Sequence, residues 1–144
     1  MKIKLTFLLL FLFQTFMYAA SPEGLWLSRD ENTGKARAVI KVENVHGILQ
    51  ARVMQVFKQP GDSGVCLKCP EPFTNKPVLN MVFAWGLVPT KDGYWDKGRI
   101  LDPKSGKVYR GKMILQSDNS LVVRGYLGIS LLGRSQIWER YQNH

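Results

Sequence analysis

Hydrophobic and polar side chains alternate with a period of two along most of this chain. Ile40 and Val42 share one face of residues 36–43 with two alanines, while charged side chains occupy most of the other face. Residues 48–57 repeat the pattern. Such alternation is typical of half-buried β-strands, and the turn-forming residues from Asn44 to Gly47 predict a tight hairpin between these two.

The same pattern predicts about eight strands in the whole chain. The fourth is expected to place Leu79, Met81, Phe83 and Trp85 on one face, and a looser segment should follow from Gly86 towards Trp95. The predicted strands span residues 24–29, 36–43, 48–57, 79–85, 98–101, 107–115, 120–127 and 134–141.

Short turns between consecutive strands predict antiparallel neighbours. A meander of this kind has two exposed edges, and closure into a barrel hides both. We therefore predict an all-β fold, an antiparallel meander of about eight strands that closes into a small barrel. An open two-sheet sandwich is the alternative, although sandwiches often use longer crossing connections between their sheets.

One long connection interrupts the meander at residues 58–78. It contains four prolines and cannot be a central strand. Cys66 and Cys69 lie within it as a C-x-x-C pair, which we interpret as a local disulfide formed after export. Pro70 follows the second cysteine where c-type haem attachment requires histidine, so a haem site is excluded. Zinc binding and a thioredoxin-like redox pair remain alternatives, but the sequence supplies neither further zinc ligands nearby nor a βαβ context.

The N-terminus has the three parts of a secretory signal peptide. Lys2 and Lys4 provide a basic start, an apolar run extends from Leu5 to Phe13, and small residues precede the change of pattern. The apolar run is too short for a membrane-spanning helix, which needs about 20 apolar residues. We predict a signal peptide over residues 1–20, with an uncleaved N-terminal anchor as the alternative.

Cleavage after Ala19 or Ala20 would leave a single mature domain over residues 21–144, periplasmic or secreted and without a transmembrane segment. This mature chain keeps 18 basic residues against 11 acidic ones, a formal charge of +7. The basic residues are spread along the sequence, which favours a solvated surface over a nucleic-acid-binding stripe. An exported basic protein is nevertheless attracted to anionic surfaces such as phospholipid.

The two ends of the meander carry residues suited to closing a barrel. Gly24-Leu25-Trp26 opens the first strand, and Arg134, Trp138 and Arg140 lie in the last. An arginine from the closing strand can stack across the indole of Trp26. This spacing resembles the signature of the lipocalins and related calycin barrels. A buried core position explains Trp26 better than a binding role does, and the binding role is kept as the alternative.

The last two strands combine aromatic and basic residues that could hold a ligand. Arg124 and Tyr126 share one face of the seventh predicted strand. Arg134 and Trp138 share one face of the eighth. If these faces line the lumen, they predict a polar cavity with basic donors for a carboxylate or phosphate. If they point outwards, they are surface side chains. The predicted ligand-binding residues are Trp26, Arg124, Tyr126, Arg134 and Trp138.

No catalytic or metal-binding constellation emerges. The only histidines are His46, in a predicted turn, and His144, at the C-terminus. Most aspartates are explained as turn formers. We therefore expect a non-catalytic protein without cofactor or metal, with a small hydrolase or isomerase as the alternative.

Several motifs together resemble the bacterial exported family known as domain of unknown function 2147, over nearly the whole mature chain. The resemblance implies export to the periplasm and a lipocalin-like β-barrel, but no activity. The matching motifs are Gly24-Leu25-Trp26, the Arg29-Asp30 turn, the loop with Cys66 and Cys69, Gly98-Arg99-Ile100-Leu101-Asp102-Pro103 with Gly106 and Tyr109, and Arg124-Gly125-Tyr126-Leu127-Gly128 leading to Leu132-Gly133-Arg134 and Trp138.

Two functions are consistent with these observations. The first is binding of a small anionic or amphipathic molecule in the barrel mouth by Arg124, Tyr126 and Trp138, with residues 58–78 as a partial lid. The alternative is an envelope interaction or maintenance protein. It would bind a protein or an anionic surface through its basic exterior or its Pro-rich loop.

Overall fold

Eight antiparallel strands form a closed barrel in the computed structural model, which describes residues 20–128 and 133–142. Except for Ala20, the predicted signal peptide lies outside these residues. Each strand pairs with the next, and the last returns to the first, so the predicted barrel is confirmed and the sandwich alternative is wrong. The strands are β1 Gly24–Arg29, β2 Ala36–Val45, β3 Ile48–Val56, β4 Val82–Lys91, β5 Tyr94–Leu101, β6 Val108–Ser117, β7 Ser120–Tyr126 and β8 Gly133–Arg140.

The hairpin between β2 and β3 follows from its turn residues. His46 and Gly47 both adopt positive φ angles, 54° and 85°, and the side-chain oxygen of Asn44 accepts a 2.7 Å hydrogen bond from the Gly47 N–H. Two consecutive left-handed residues match the twist of the flanking strands. The predicted tight turn is therefore confirmed.

The segment after Gly86 was predicted to be loose, and this prediction is wrong. β4 continues to Lys91, and a tight turn at Asp92 and Gly93 leads directly into β5. Gly86 (φ 70°) inserts one extra residue opposite β3 and forms a β-bulge that does not end the strand. Pro89 fits this strand because the registered pairs with β3 already end at Leu87.

The prediction that four side chains share one face of the fourth strand is also only partly right. Met81 and Phe83 are buried, but Leu79 is 49% exposed and Trp85 is half-buried. Asn80 has a positive φ of 67°, which turns the chain before β4 begins. A second register shift, between Val82 and Ala84, and the bulge at Gly86 then place the strand's fully buried positions at Ala84 and Leu87.

Antiparallel order divides the connections between two ends of the barrel. We call the end with the start of β1 and the 46–47, 92–93 and 118–119 turns the closed end. The 57–81 connection and the 102–107 turn lie at the other, which we call the open end. The closing seam between β1 and β8 has only two registered pairs, Trp26 with Arg140 and Leu27 with Glu139, so contacts beyond the ladder must hold it.

Candidate functional site

Trp26 and Arg140 plug the closed end. The Trp26 ring is fully buried, its indole N–H donates to the Pro22 carbonyl at 2.8 Å, and the Arg140 guanidinium lies 4.0 Å from the ring centre. The predicted stacking of a β8 arginine on Trp26 is thus present, and Arg140 provides it. Burial lowers the pKa of Arg140, opposed by the charge of Asp118.

Large side chains fill the middle of the barrel. Several buried residues are directly paired across neighbouring strands, for example Trp26 with Ile40 and Leu121 with Trp138. Paired residues share a face, so these pairs define the inner face. The largest fully buried side chains are Trp26, Leu49, Leu87, Leu101, Met113 and Leu121.

A row of three glycines lets inner side chains pack close to the barrel wall. Gly98, Gly111 and Gly125 are registered directly opposite one another on β5, β6 and β7. A Cβ on Gly98 would lie 2.5 Å from the Cγ of Leu87, and one on Gly111 would lie 2.5 Å from the Cγ1 of Ile100. Neighbouring side chains therefore occupy the space that the glycines leave.

Trp138 and Arg134 occupy different environments on the inner row of β8. Trp138 is 2% exposed, packs 6.0 Å from the Phe83 ring, and donates its indole N–H to the Gln136 side chain at 3.3 Å. The Arg134 side chain is 80% exposed and pairs with Glu31 at 3.7 Å. Trp138 therefore belongs to the core, whereas Arg134 lies at the open rim with Gln136.

Arg124 and Tyr126 lie on the outer face, so they do not line the lumen with Trp138. Each is adjacent to an inner-row residue, Val123 or Gly125, and strand neighbours point to opposite faces. Arg124 donates to the Ser135 hydroxyl at 3.0 Å. The structure thus separates the five predicted ligand-binding residues into an inner and an outer group.

The outer surface of β5, β6 and β7 concentrates positive charge. Arg99 is registered directly opposite Arg110, and Lys112 is opposite Arg124. We call these four residues the basic face. Within the described part of the chain, no carboxylate lies within ion-pairing distance of Arg99 or Arg110. The basic residues are dispersed in sequence, but three adjacent strands bring four of them together.

A strained bulge in β5 borders the basic face. Lys97 adopts a positive φ of 61°, and one Asp96 carboxylate oxygen accepts hydrogen bonds from the Lys97 N–H at 2.7 Å and the Tyr126 hydroxyl at 2.9 Å. Burial and the Asp96 carboxylate raise the pKa of Tyr126, while Arg110 and Arg99 oppose the shift. Tyr126 is therefore a neutral hydrogen-bond donor that ties β7 to β5 across β6.

The Cys66–Cys69 disulfide is present, and both cysteines are buried. Cys66 lies against the 102–107 turn, with its sulfur 3.6 Å from the Pro103 carbonyl oxygen. Arg37 of β2 pairs with Asp62 at 2.6 Å. The connection between β3 and β4 is thus held at both places against the open end.

Open depressions outside the lumen indent the surface of the described residues. One of about 270 Å³ is lined by Phe73, Leu79 and Met81 among others, and one of about 430 Å³ flanks Glu23 and Glu43 at the closed end. Among residues 20–128 and 133–142, no cluster of three or more histidine, cysteine or acidic side chains could hold a metal ion. The same residues contain no helix long and apolar enough to cross a membrane.

The closed eight-stranded meander, plugged at one end by a tryptophan and an arginine, is a lipocalin-like barrel. The chain belongs to the family of uncharacterized proteins conserved in bacteria, DUF2147, whose family model matches residues 24–140. The fold is similar to that of protein HP1028 from Helicobacter pylori, described as a lipocalin-family protein, with a TM-score of 0.73, 15% identity and coverage of 86% of this chain and 85% of that one. No curated protein matches the chain in sequence.

Sequence reasoning missed Arg99, Arg110 and Lys112. The alternation of Arg110 and Lys112 with buried positions in β6 does place both on one polar face. Their pairing with Arg99 and Arg124 depends on strand register, which no pattern within a single strand contains.

Proposed function

We propose that this protein is an exported, non-catalytic binding protein of the bacterial envelope that holds an anionic partner on its basic face. This is the envelope-interaction function that the sequence left as an alternative. It assigns binding to the outside of the barrel, with Arg99 and Arg110 as the principal contacts and Lys112 and Arg124 beside them.

The observation that carries this proposal is the direct opposition of like charges. Arg99 faces Arg110 and Lys112 faces Arg124 in neighbouring outer rows of the sheet. Like charges directly opposite one another destabilise a sheet. Because an anion placed beside Arg99 and Arg110 relieves their repulsion, the arrangement favours a partner that carries carboxylate, phosphate or sulfate groups.

The interior offers less support for a ligand. Met113, Leu121 and Trp138 occupy the inner face where a lumen ligand would lie, and Leu87 and Ile100 cover Gly98 and Gly111 of the glycine row. Export rests on the N-terminal pattern of residues 1–20, and the formal charge of +7 on the mature chain is consistent with binding to anionic envelope components.

Chromatography on immobilised heparin, a soluble polyanion, tests the basic face. We expect the mature protein to bind at low salt and Arg99→Gln/Arg110→Gln to elute at clearly lower salt. The matched control is Lys35→Gln/Lys76→Gln, which removes the same charge from exposed lysines in the β1–β2 and β3–β4 connections. It should elute near the wild type.

Equal shifts for the two double variants would contradict the proposal, because retention would then depend on net charge alone. Circular dichroism of each variant checks that the barrel is intact. Since all four substituted side chains are exposed, we expect no loss of structure.

A second candidate function is small-molecule binding at the open rim, favoured by Gln136. Its side chain is exposed although it belongs to the inner row, and it already accepts the indole N–H of Trp138. The anionic dye 1-anilinonaphthalene-8-sulfonate is a suitable probe. Saturable binding that Gln136→Ala weakens and Arg110→Gln does not would favour the rim over the basic face.

A further inference from the structure

The basic face continues directly into an apolar row on the same outer surface. Ile114, Val122 and Ile137 are registered opposite one another on β6, β7 and β8, one outer row beyond Lys112 and Arg124. Successive outer rows lie about 7 Å apart along a strand. Ile137 is 62% exposed, the largest exposed fraction among the exposed apolar side chains of the described strands.

We infer that this surface docks on a bilayer containing anionic phospholipids, with the cations at the headgroups and Ile137 inserted between them. The inference rests on the proposed function, since it names the anionic partner of the basic face. A soluble polyanion would contact Arg99 and Arg110 but would gain nothing from an isoleucine, whereas a membrane interface accepts both.

The order of the rows fits a bilayer surface. Arg99 and Arg110 form the first row, Lys112 and Arg124 the second, and the three apolar side chains the third. Glu139 follows in the row beyond, where it pairs with Arg29 at 3.1 Å. An acidic group therefore limits the patch on the closed-end side, and its charge is already compensated.

Co-sedimentation with vesicles tests this inference on the mature chain. We expect binding to vesicles of phosphatidylcholine with phosphatidylglycerol, and at least about tenfold weaker binding to phosphatidylcholine alone. Arg99→Gln/Arg110→Gln should weaken binding to the anionic vesicles about tenfold or more. Ile137→Ser should weaken it severalfold while leaving retention on heparin unchanged.

Ile48→Ser is the matched control, because Ile48 is 41% exposed on β3 and lies outside the patch. It should bind vesicles like the wild type. If the arginines govern heparin retention but Ile137→Ser binds vesicles as well as Ile48→Ser does, the membrane inference is overturned and the proposed function stands. If the arginine variant behaves as wild type with both probes, both fail.

Discussion

The guanidinium of Arg140 lies 4.0 Å from the centre of the Trp26 ring, and its N–H groups donate to the carbonyls of Asp118, Glu23 and Ser21 at 2.6–2.8 Å. These two residues are also registered opposite each other in the short β1–β8 seam. One side chain of β8 thus joins the segment before β1 and the turn before β7 at the closed end.

Arg140→Ala should therefore destabilise the barrel strongly. The loss of the cation–π contact of a half-buried arginine with a buried ring, and of three charge-assisted hydrogen bonds, should lower the free energy of unfolding by about 2 to 4 kcal/mol. Chemical denaturation measures this. Arg29→Ala, which removes an exposed ion pair with Glu139 in the same seam, should cost less than about 1 kcal/mol. Similar costs for the two variants would show that Arg140 is not the main closure contact.

A methyl group at Gly111 should be poorly tolerated if the interior is filled. Gly111→Ala would bring Cβ to 2.5 Å from Ile100, and such overpacking typically costs about 1 to 3 kcal/mol. Gly125→Ala is the matched control in the same row, because its Cβ would meet the Tyr109 Cβ at an ordinary 3.4 Å. Thermal denaturation should show a much lower Tm for the first variant alone. Equal Tm values would indicate spare volume beside Ile100.

Reduction of the Cys66–Cys69 disulfide should change stability only modestly. The loop that it closes is short, so the chain-entropy model assigns the bond about 2 kcal/mol or less. We expect a small drop in Tm under reducing conditions and a far-ultraviolet circular dichroism spectrum that still shows the β-barrel. Global unfolding on reduction at 25 °C would contradict this prediction.

The ion pair between Arg37 and Asp62 should make stability depend on acid pH. Hydrogen bonds from Arg37 and from the Gln59 N–H lower the pKa of Asp62 from 3.8 to about 2. Because the folded-state pKa is depressed, its stabilisation is complete above about pH 4 and is lost as the pH falls towards 2. The stability difference between the wild type and Asp62→Asn should thus shrink from about 1 to 2 kcal/mol near pH 6 to almost nothing near pH 2. A difference that stays constant with pH would contradict this.

The sequence by itself determined the strands and their closure. Alternation of buried and exposed residues depends on local geometry, so it marked six of the eight strands to within about two residues at either end, β1 without error. The exceptions were β4, which was predicted at residues 79–85, and β5, where only Gly98 to Leu101 was recognised. The bulge at Gly86 interrupts the period of two, and for this reason the end of β4 and the start of β5 were missed.

Only the tertiary structure decided which face of each strand is inside and which side chains meet. Residue spacing could not assign Trp138 to the inner face and Arg124 to the outer face. A strand pattern defines two faces but does not show which of them is enclosed. The basic face arises from the register of β5, β6 and β7. Register is a property of pairs of strands, and residues distant in the chain become neighbours only when the sheet has formed.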